Sequence, residues 1–304
     1  MTEDAAPILC VGALTCDLML HVPRLPLGPG KYLADRAALV AAGMATSAAT
    51  AIARLGCRAA LWASAGDDAI GDFLVAEIGR EGIATSHVRR IPGVMSAIAS
   101  ITLDARGERI VVPHYDPALL TAPDSDPFAG TAFAGVLVDV RWPAAAARAL
   151  DAARAAGIPA ILDLDVGAPD TLAGLIPLAS HVVASLDGAS VLCPASSSAR
   201  AVRELSAMTD ACVVVTEGAG GLSWCAPGGG IRSMPAFAVA TVDTNAAGDI
   251  FHGALAVAIT RGLPLEEALR FASAAAAIKC SRYGGRSGAP TRGEVEGFLK
   301  ARQP

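Results

Sequence analysis

Apolar residues recur along this chain in two rhythms. Ile8 to Ala13, Arg58 to Ser64, Val136 to Val140, Ala160 to Leu164, Val182 to Ala184 and Cys212 to Thr216 are short, mainly apolar runs. Their length suits strands buried on both faces. Between the runs that start at 136, 160 and 182 the spacing turns helical. Met44 to Leu55 reads as a helix stopped by Gly56, and Ile70 to Arg80 as an amphipathic helix closed near Gly82. Ala247 to Thr260, Leu265 to Ser281 and a short segment from about Arg292 complete a helical end. Ser96 to Leu103 and Arg109 to Val112 differ in style, flanking Asp104-Ala105-Arg106-Gly107 as a hairpin would. The pattern predicts an α/β fold: a doubly wound, mainly parallel sheet with helices on both faces. We expect one domain over residues 1–304, with a small β lid inserted from parts of 15–40 and 90–115.

Composition narrows the class. A hydrophobic share of 53% with only 4% aromatics implies an interior of small, closely packed side chains. The mean hydropathy is positive, yet no run approaches the roughly 20 uncharged apolar residues of a spanning helix. Met1-Thr2-Glu3-Asp4 is acidic, unlike the basic start of a secretory signal, which predicts a cytoplasmic protein. The seven cysteines form no Cys-x-x-Cys pair and read as buried thiols, which argues against zinc or redox chemistry. A net charge of −5 without basic runs speaks against a nucleic-acid partner, and nothing points to a membrane.

The chemistry concentrates in Val242-Asp243-Thr244-Asn245-Ala246-Ala247-Gly248-Asp249-Ile250-Phe251-His252-Gly253. A helix beginning near 247 leaves its first N–H groups without partners at the positive end of its dipole. Small residues at 246–248 leave that backbone open to an anion such as phosphate. An aspartate there, Asp249, suits a base that accepts the proton of an attacking hydroxyl. Asp243 or Asp249 equally suits a plain helix cap.

Asp243 to Asp249 resembles the D-T-x-G-A-G-D signature of the PfkB, or ribokinase-like, carbohydrate kinases. Ala42-Gly43-Met44-Ala45-Thr46-Ser47 with Arg54-Leu55-Gly56 is similar to the family's G-G-x-x-x-N…R-L-G. Gly66-Asp67-Asp68-Ala69-Ile70-Gly71 resembles its G-x-D-x-x-G, and Thr216-Glu217-Gly218-Ala219-Gly220-Gly221 its T-x-G-x-x-G turn. The resemblance implies ATP and Mg²⁺, and admits a monovalent cation. It implies Asp249 as catalytic base and an anion hole from Ala246, Ala247 and Gly248. Asp17, Gly43 and Ser47 would face a sugar beneath the lid. Ser185, Thr216, Gly218 and Gly221 would face the nucleotide, and a homodimer through the lid is implied as well.

The sequence departs from the family at three places. Ala246 stands for the first anion-hole glycine and Ser47 for the usual asparagine. Ser185-Leu186-Asp187-Gly188 lacks the usual N-x-x-E, leaving Asp187 to serve Mg²⁺ through water. These departures keep open a non-catalytic sugar or nucleotide sensor on the same fold. Walker-type and dinucleotide glycine motifs are absent, and His252 has no nucleophile elbow beside it, so it reads as a packed or polar helix residue.

Arg141 follows the strand at 136–140, where parallel sheets bind ligands, and Lys31 lies in the lid segment. Each also suits a solvated surface cation. With Asp139-Val140-Arg141-Trp142, Phe251 to Ala258 and Ile278-Lys279-Cys280…Gly284-Gly285-Arg286, they resemble the sulfofructose kinase subfamily. That implies Lys31 and Arg141 on a sulfonate, His114 near the same group, and 6-deoxy-6-sulfofructose converted to its 1-phosphate. Arginine's planar fork suits such an oxyanion. Phosphate satisfies the same pair, so other sugar phosphates and fructose-, tagatose- or ribose-like sugars stay open.

Overall fold

The computed structural model describes residues 5–106 and 108–302. The acidic start at 1–4 and Gly107 of the predicted hairpin turn lie outside the described residues. The strands are β1 (Ile8–Val11), β2 (Thr15–Val22), β3 (Arg36–Ala42), β4 (Ala59–Gly66), β5 (Ala84–Ile91), β6 (Ile98–Asp104), β7 (Arg109–His114), β8 (Gly135–Val138), β9 (Ala160–Leu164), β10 (His181–Ser185), β11 (Cys212–Thr216), β12 (Leu222–Cys225) and β13 (Arg232–Met234). The helices are α1 (Met44–Arg54), α2 (Ala69–Arg80), α3 (Pro143–Ala156), α4 (Pro169–Leu175), α5 (Leu186–Leu192), α6 (Ser198–Leu205), α7 (Ala247–Thr260), α8 (Leu265–Cys280) and α9 (Arg292–Lys300).

Nine strands form one sheet in the order β13-β12-β11-β10-β9-β8-β1-β4-β5. All neighbours are parallel except β11–β12 and β12–β13. Alternate residues of each buried strand serve opposite faces. Ile8, Cys10, Leu61, Ala63, Leu137 and Val183 join a core under α1, α2, α7, α8 and α9. Leu9, Val11, Trp62, Val136, Val138 and Val182 join another under α3 to α6. This is the doubly wound sheet that the apolar runs predicted.

The order reverses between β1 and β8, which creates the crevice where open α/β sheets bind ligands. Out of that crevice the chain leaves β1, builds β2 and β3, and returns to α1. A second, four-stranded sheet, β3-β2-β6-β7, results. Its inner side carries Met19, Val40, Ala99, Ile101 and Leu103.

Several boundaries differ from expectation. The run at 8–13 is a strand only to Val11, and that at 136–140 only to Val138. Asp17 belongs to β2 of the small sheet. Elements β5, α5, α6, β12 and β13 were not anticipated. Strand β5 is an edge strand whose Thr85, Ser86, Arg89 and Arg90 hide the apolar rhythm. Among the described residues no helix is long and apolar enough to cross a membrane.

Candidate active site

Helix α7 begins at the crevice. Its N-cap, Ala246, has φ 62° and ψ 9°, making it the sole non-glycine residue with positive φ among those described. Left-handed backbone costs an L-residue about 1–2 kcal/mol, a strain kept where the surroundings over-determine it. The Ala247 N–H donates to Thr244 O at 3.2 Å and Ile250 N to Ala246 O at 3.0 Å. The N–H groups of Gly248 and Asp249 lie between them, and a side chain on Gly248 would meet only open space. Gly248 and Asp249 thus present free backbone donors at the start of α7, whereas the Ala247 N–H is already engaged by Thr244.

Asp249 sits in the first turn of α7, partly buried. Burial and the negative charges of Asp165, Asp139 and Asp17 raise its carboxyl to about 8, against a hydrogen bond from Ser47 that lowers it. Ser47 reaches it from α1 because the two helices nearly touch. A Cβ on Gly253 would fall 2.4 Å from Ala48 O. The Ser47 hydroxyl thus meets the Asp249 carboxylate.

The crevice floor is built by Asp139, directly after β8. Its buried carboxylate accepts from Ala13 N at 2.7 Å, Ala45 N at 3.0 Å and Arg141 N at 2.8 Å. It thereby clamps the exit from β1 and the start of α1. Gly12 and Gly43 permit this approach: at Gly12 a Cβ would strike the Asp139 carboxylate, at Gly43 it would strike Ala13 O. Asp17 faces the same region from β2, accepts from Thr15 Oγ1 at 2.8 Å, and is raised to about 6 by burial, against that hydrogen bond. Arg141 lines a narrow cleft with Gly12, Tyr115, Leu120 and Trp142. Its guanidinium donates to Asp165 Oδ2 at 2.8 Å and Val166 O at 2.9 Å. Behind α7, His252 Nδ1 lies 3.3 Å from Asp163 Oδ2. Burial lowers His252 to about 4 and, with neighbouring carboxylates, raises Asp163 well above its usual range. Both shifts favour the uncharged forms of the acid and the imidazole.

The family model for pfkB family carbohydrate kinases matches residues 5–292. The chain belongs to that family. The ribokinase of Bacillus subtilis is 28% identical over 302 residues, covering 96% of this pfkB kinase and 99% of the relative. A crystal structure of a candidate ribokinase from Agrobacterium tumefaciens is 41% identical with a TM-score of 0.95, covering 98% of each chain. Arabidopsis thaliana ribokinase, solved with ribose and ATP, is 25% identical with a TM-score of 0.84, covering 97% of this chain and 99% of its own.

On the other side of the crevice, the pfkB kinase places Thr216 at the end of β11, with its hydroxyl 3.3 Å from Ala184 O. Gly218 (φ 53°) and Gly221 (φ 93°) then turn the chain into β12. Ser185 caps α5, its Oγ accepting from Gly188 N at 2.9 Å, and Asp187 is exposed beside it. Magnesium is bound through one or two carboxylates besides phosphate and water oxygens, and Asp187 is the carboxylate that the 185–188 segment offers. Among the described residues no cluster of three metal-ligating side chains occurs.

Lys31 is exposed in the loop between β2 and β3, and His114 is exposed at the end of β7. Neither lines the cleft that holds Arg141. The motif aspartates divide their labour. Asp68 caps α2 through Gly71 N at 2.7 Å and binds Ser96 N and Oγ, so it fixes the 94–96 crossing. Tyr115, Asp139, Asp163 and Asp165 were not singled out as site residues. Carboxylates placed directly after apolar strands, as in Val138-Asp139 and Leu164-Asp165, were the available signal.

Proposed function

We propose that this carbohydrate kinase transfers the γ-phosphoryl group of ATP to the hydroxyl of a sugar with an anionic far end, 6-deoxy-6-sulfofructose yielding its 1-phosphate. Arg141 carries this reading, as a guanidinium in the crevice cleft beside the carboxylates of Asp139 and Asp165. Asp249 takes the proton of the attacking hydroxyl, and the free N–H groups of Gly248 and Asp249 hold charge developing on the phosphoryl oxygens. Asp17 orients the sugar. Asp187 would hold Mg²⁺ through water, and the ion would neutralise phosphate charge when bound. Arg141 alone carries the anion site in this reading, since Lys31 and His114 lie exposed outside its cleft.

A ribose-like substrate is the second reading. It is favoured by the ribokinase relatives and by the grip of Asp165 on Arg141, which neutralises part of its charge. Turnover of sulfofructose, fructose 6-phosphate, fructose and ribose by wild type and Arg141→Ala decides between them. Loss of a charge-assisted contact, about 1.5–3 kcal/mol, should lower kcat/KM for the anionic sugars about 10- to 100-fold and leave the neutral ones nearly unchanged. Equal losses, or ribose as the best wild-type substrate, overturn the anionic reading.

The outer face of the small sheet carries Leu39, Leu18, Ser100 and Val112 in one register row. Leu18 is 42%, Leu39 54% and Val112 62% exposed. We propose that a second copy of the chain covers this face.

A further inference from the structure

The chain has lysines only at 31, 279 and 300, and Lys279 is 0% exposed. Lysine is almost never fully buried unless paired. Its Nζ lies 2.7 Å from Asp243 O, 3.0 Å from Asp243 Oδ2 and 3.4 Å from Arg282 O. An ammonium has three N–H donors, and three oxygens surround this one. The other side of Asp243 is equally engaged: Oδ1 accepts from Asn245 N, and Oδ2 from Gly284 N and Gly285 N. Val242 N and Asp243 N both donate to Cys280 O. Burial pushes the Asp243 carboxyl up, but these N–H donors and the ammonium outweigh it and hold the group below its usual range. The oxygens therefore converge around one positive charge, at the root of the loop that ends in strained Ala246 and the free N–H groups of α7.

Inward-facing carbonyls replace the hydration shell of a monovalent cation, and here one carboxylate joins them. Here the centre of that set is filled by a side chain. Ammonium and potassium are of similar size and equal charge, so one can stand for the other. We propose that Lys279 is a tethered monovalent cation and a positioning residue, which holds loop 242–246 in its anion-binding shape so that turnover needs no dissolved potassium. The residues thus leave no place here for the separate cation that the family resemblance admits. The proposal rests on the kinase reading only for its activity arm; the thermal arm needs no substrate.

The test uses wild type, Lys279→Ala and Lys279→Met in choline chloride, KCl and NH₄Cl at equal ionic strength. Melting temperature is measured without ATP, and turnover is measured on whichever sugar wild type phosphorylates. Wild type should respond equally to the three salts in both measurements. Lys279→Ala should lose about tenfold or more of its turnover in choline, the scale of one charge-assisted contact. Potassium or ammonium should restore both turnover and melting temperature in Lys279→Ala, and less so in Lys279→Met, whose side chain still fills the space. A variant that folds only in KCl or NH₄Cl also supports the idea. Stimulation of wild type several-fold by potassium overturns it. So does a folded Lys279→Ala that ignores all three salts, or one that fails to fold in every salt.

Discussion

Replacing Asp249 by asparagine separates the cost of burying this carboxyl from its proposed use as a base. In the folded chain the carboxyl is raised from 3.8 to about 8, by burial and by the charges of Asp165, Asp139 and Asp17, against the Ser47 hydroxyl. The folded state therefore holds a proton that the unfolded chain has released. Stability from this group is complete below about pH 4 and is lost as pH rises towards 8. The loss is at most about 1.4 kcal/mol per pH unit. Asparagine does not titrate and still accepts from Ser47. Summed from pH 4 to 7 the difference is at most about 4 kcal/mol, and partial exposure of the group halves it to about 2. At roughly 2 °C per kcal/mol for a chain of this length, Asp249→Asn should melt about 4 °C above wild type at pH 7. It should melt only about 1 °C above at pH 5. Turnover should fall about 10²- to 10⁴-fold. Thermal melts from pH 5 to 9, with initial rates at pH 8, provide the comparison. A melting gap that stays constant from pH 5 to 8, or turnover within tenfold of wild type, refutes the reasoning.

Two further outcomes are expected. Ala246→Gly relieves left-handed strain of about 1–2 kcal/mol and adds about 0.5–1 kcal/mol of backbone entropy cost. Urea unfolding should thus show stability unchanged or up to about 1 kcal/mol higher, with KM for ATP no worse; a clear loss would mean that the methyl packs. Leu39→Glu places a charge in the exposed row of the small sheet and should shift the mass seen by light scattering from dimer to monomer. A wild type that is monomeric at high concentration contradicts that assembly.

The fold was legible where parallel strands are buried on both faces, because such strands are mainly apolar, as at 160–164 apart from Asp163 and at 212–215. It was less legible where geometry permits polar residues. Strand β5, with only one neighbour, tolerates Arg89 and Arg90, and β12 and β13 are too short to show a rhythm. The start of α7 was readable because its loop, N-cap and Asp249 are contiguous in the chain. The carboxylate cluster was not, since Asp17, Asp139, Asp163 and Asp165 meet only after the sheet has formed. His252 was read as a packed or polar residue, and it is buried against Asp163. The position of Lys279 ran against the usual exposure of lysine, and no periodicity distinguishes a buried ammonium from a solvated one.

The near contact of α1 with α7 sets limits on drift. Ala48, Ala51 and Gly253 leave no gap between the helix that carries Ser47 and the helix that carries Asp249. A misplacement of about 1 Å can cost a reaction about 10²-fold, and one added methyl group at 253 demands a shift of that size. The alanine-rich interior therefore acts as a mechanical tolerance. Positions far from any ligand, 48 and 51 among them, are as closely restricted in size as the reacting groups are in kind. Wide variation is open to this chain on the outer faces of α2, α3 and α6, and not along the seam beneath its base.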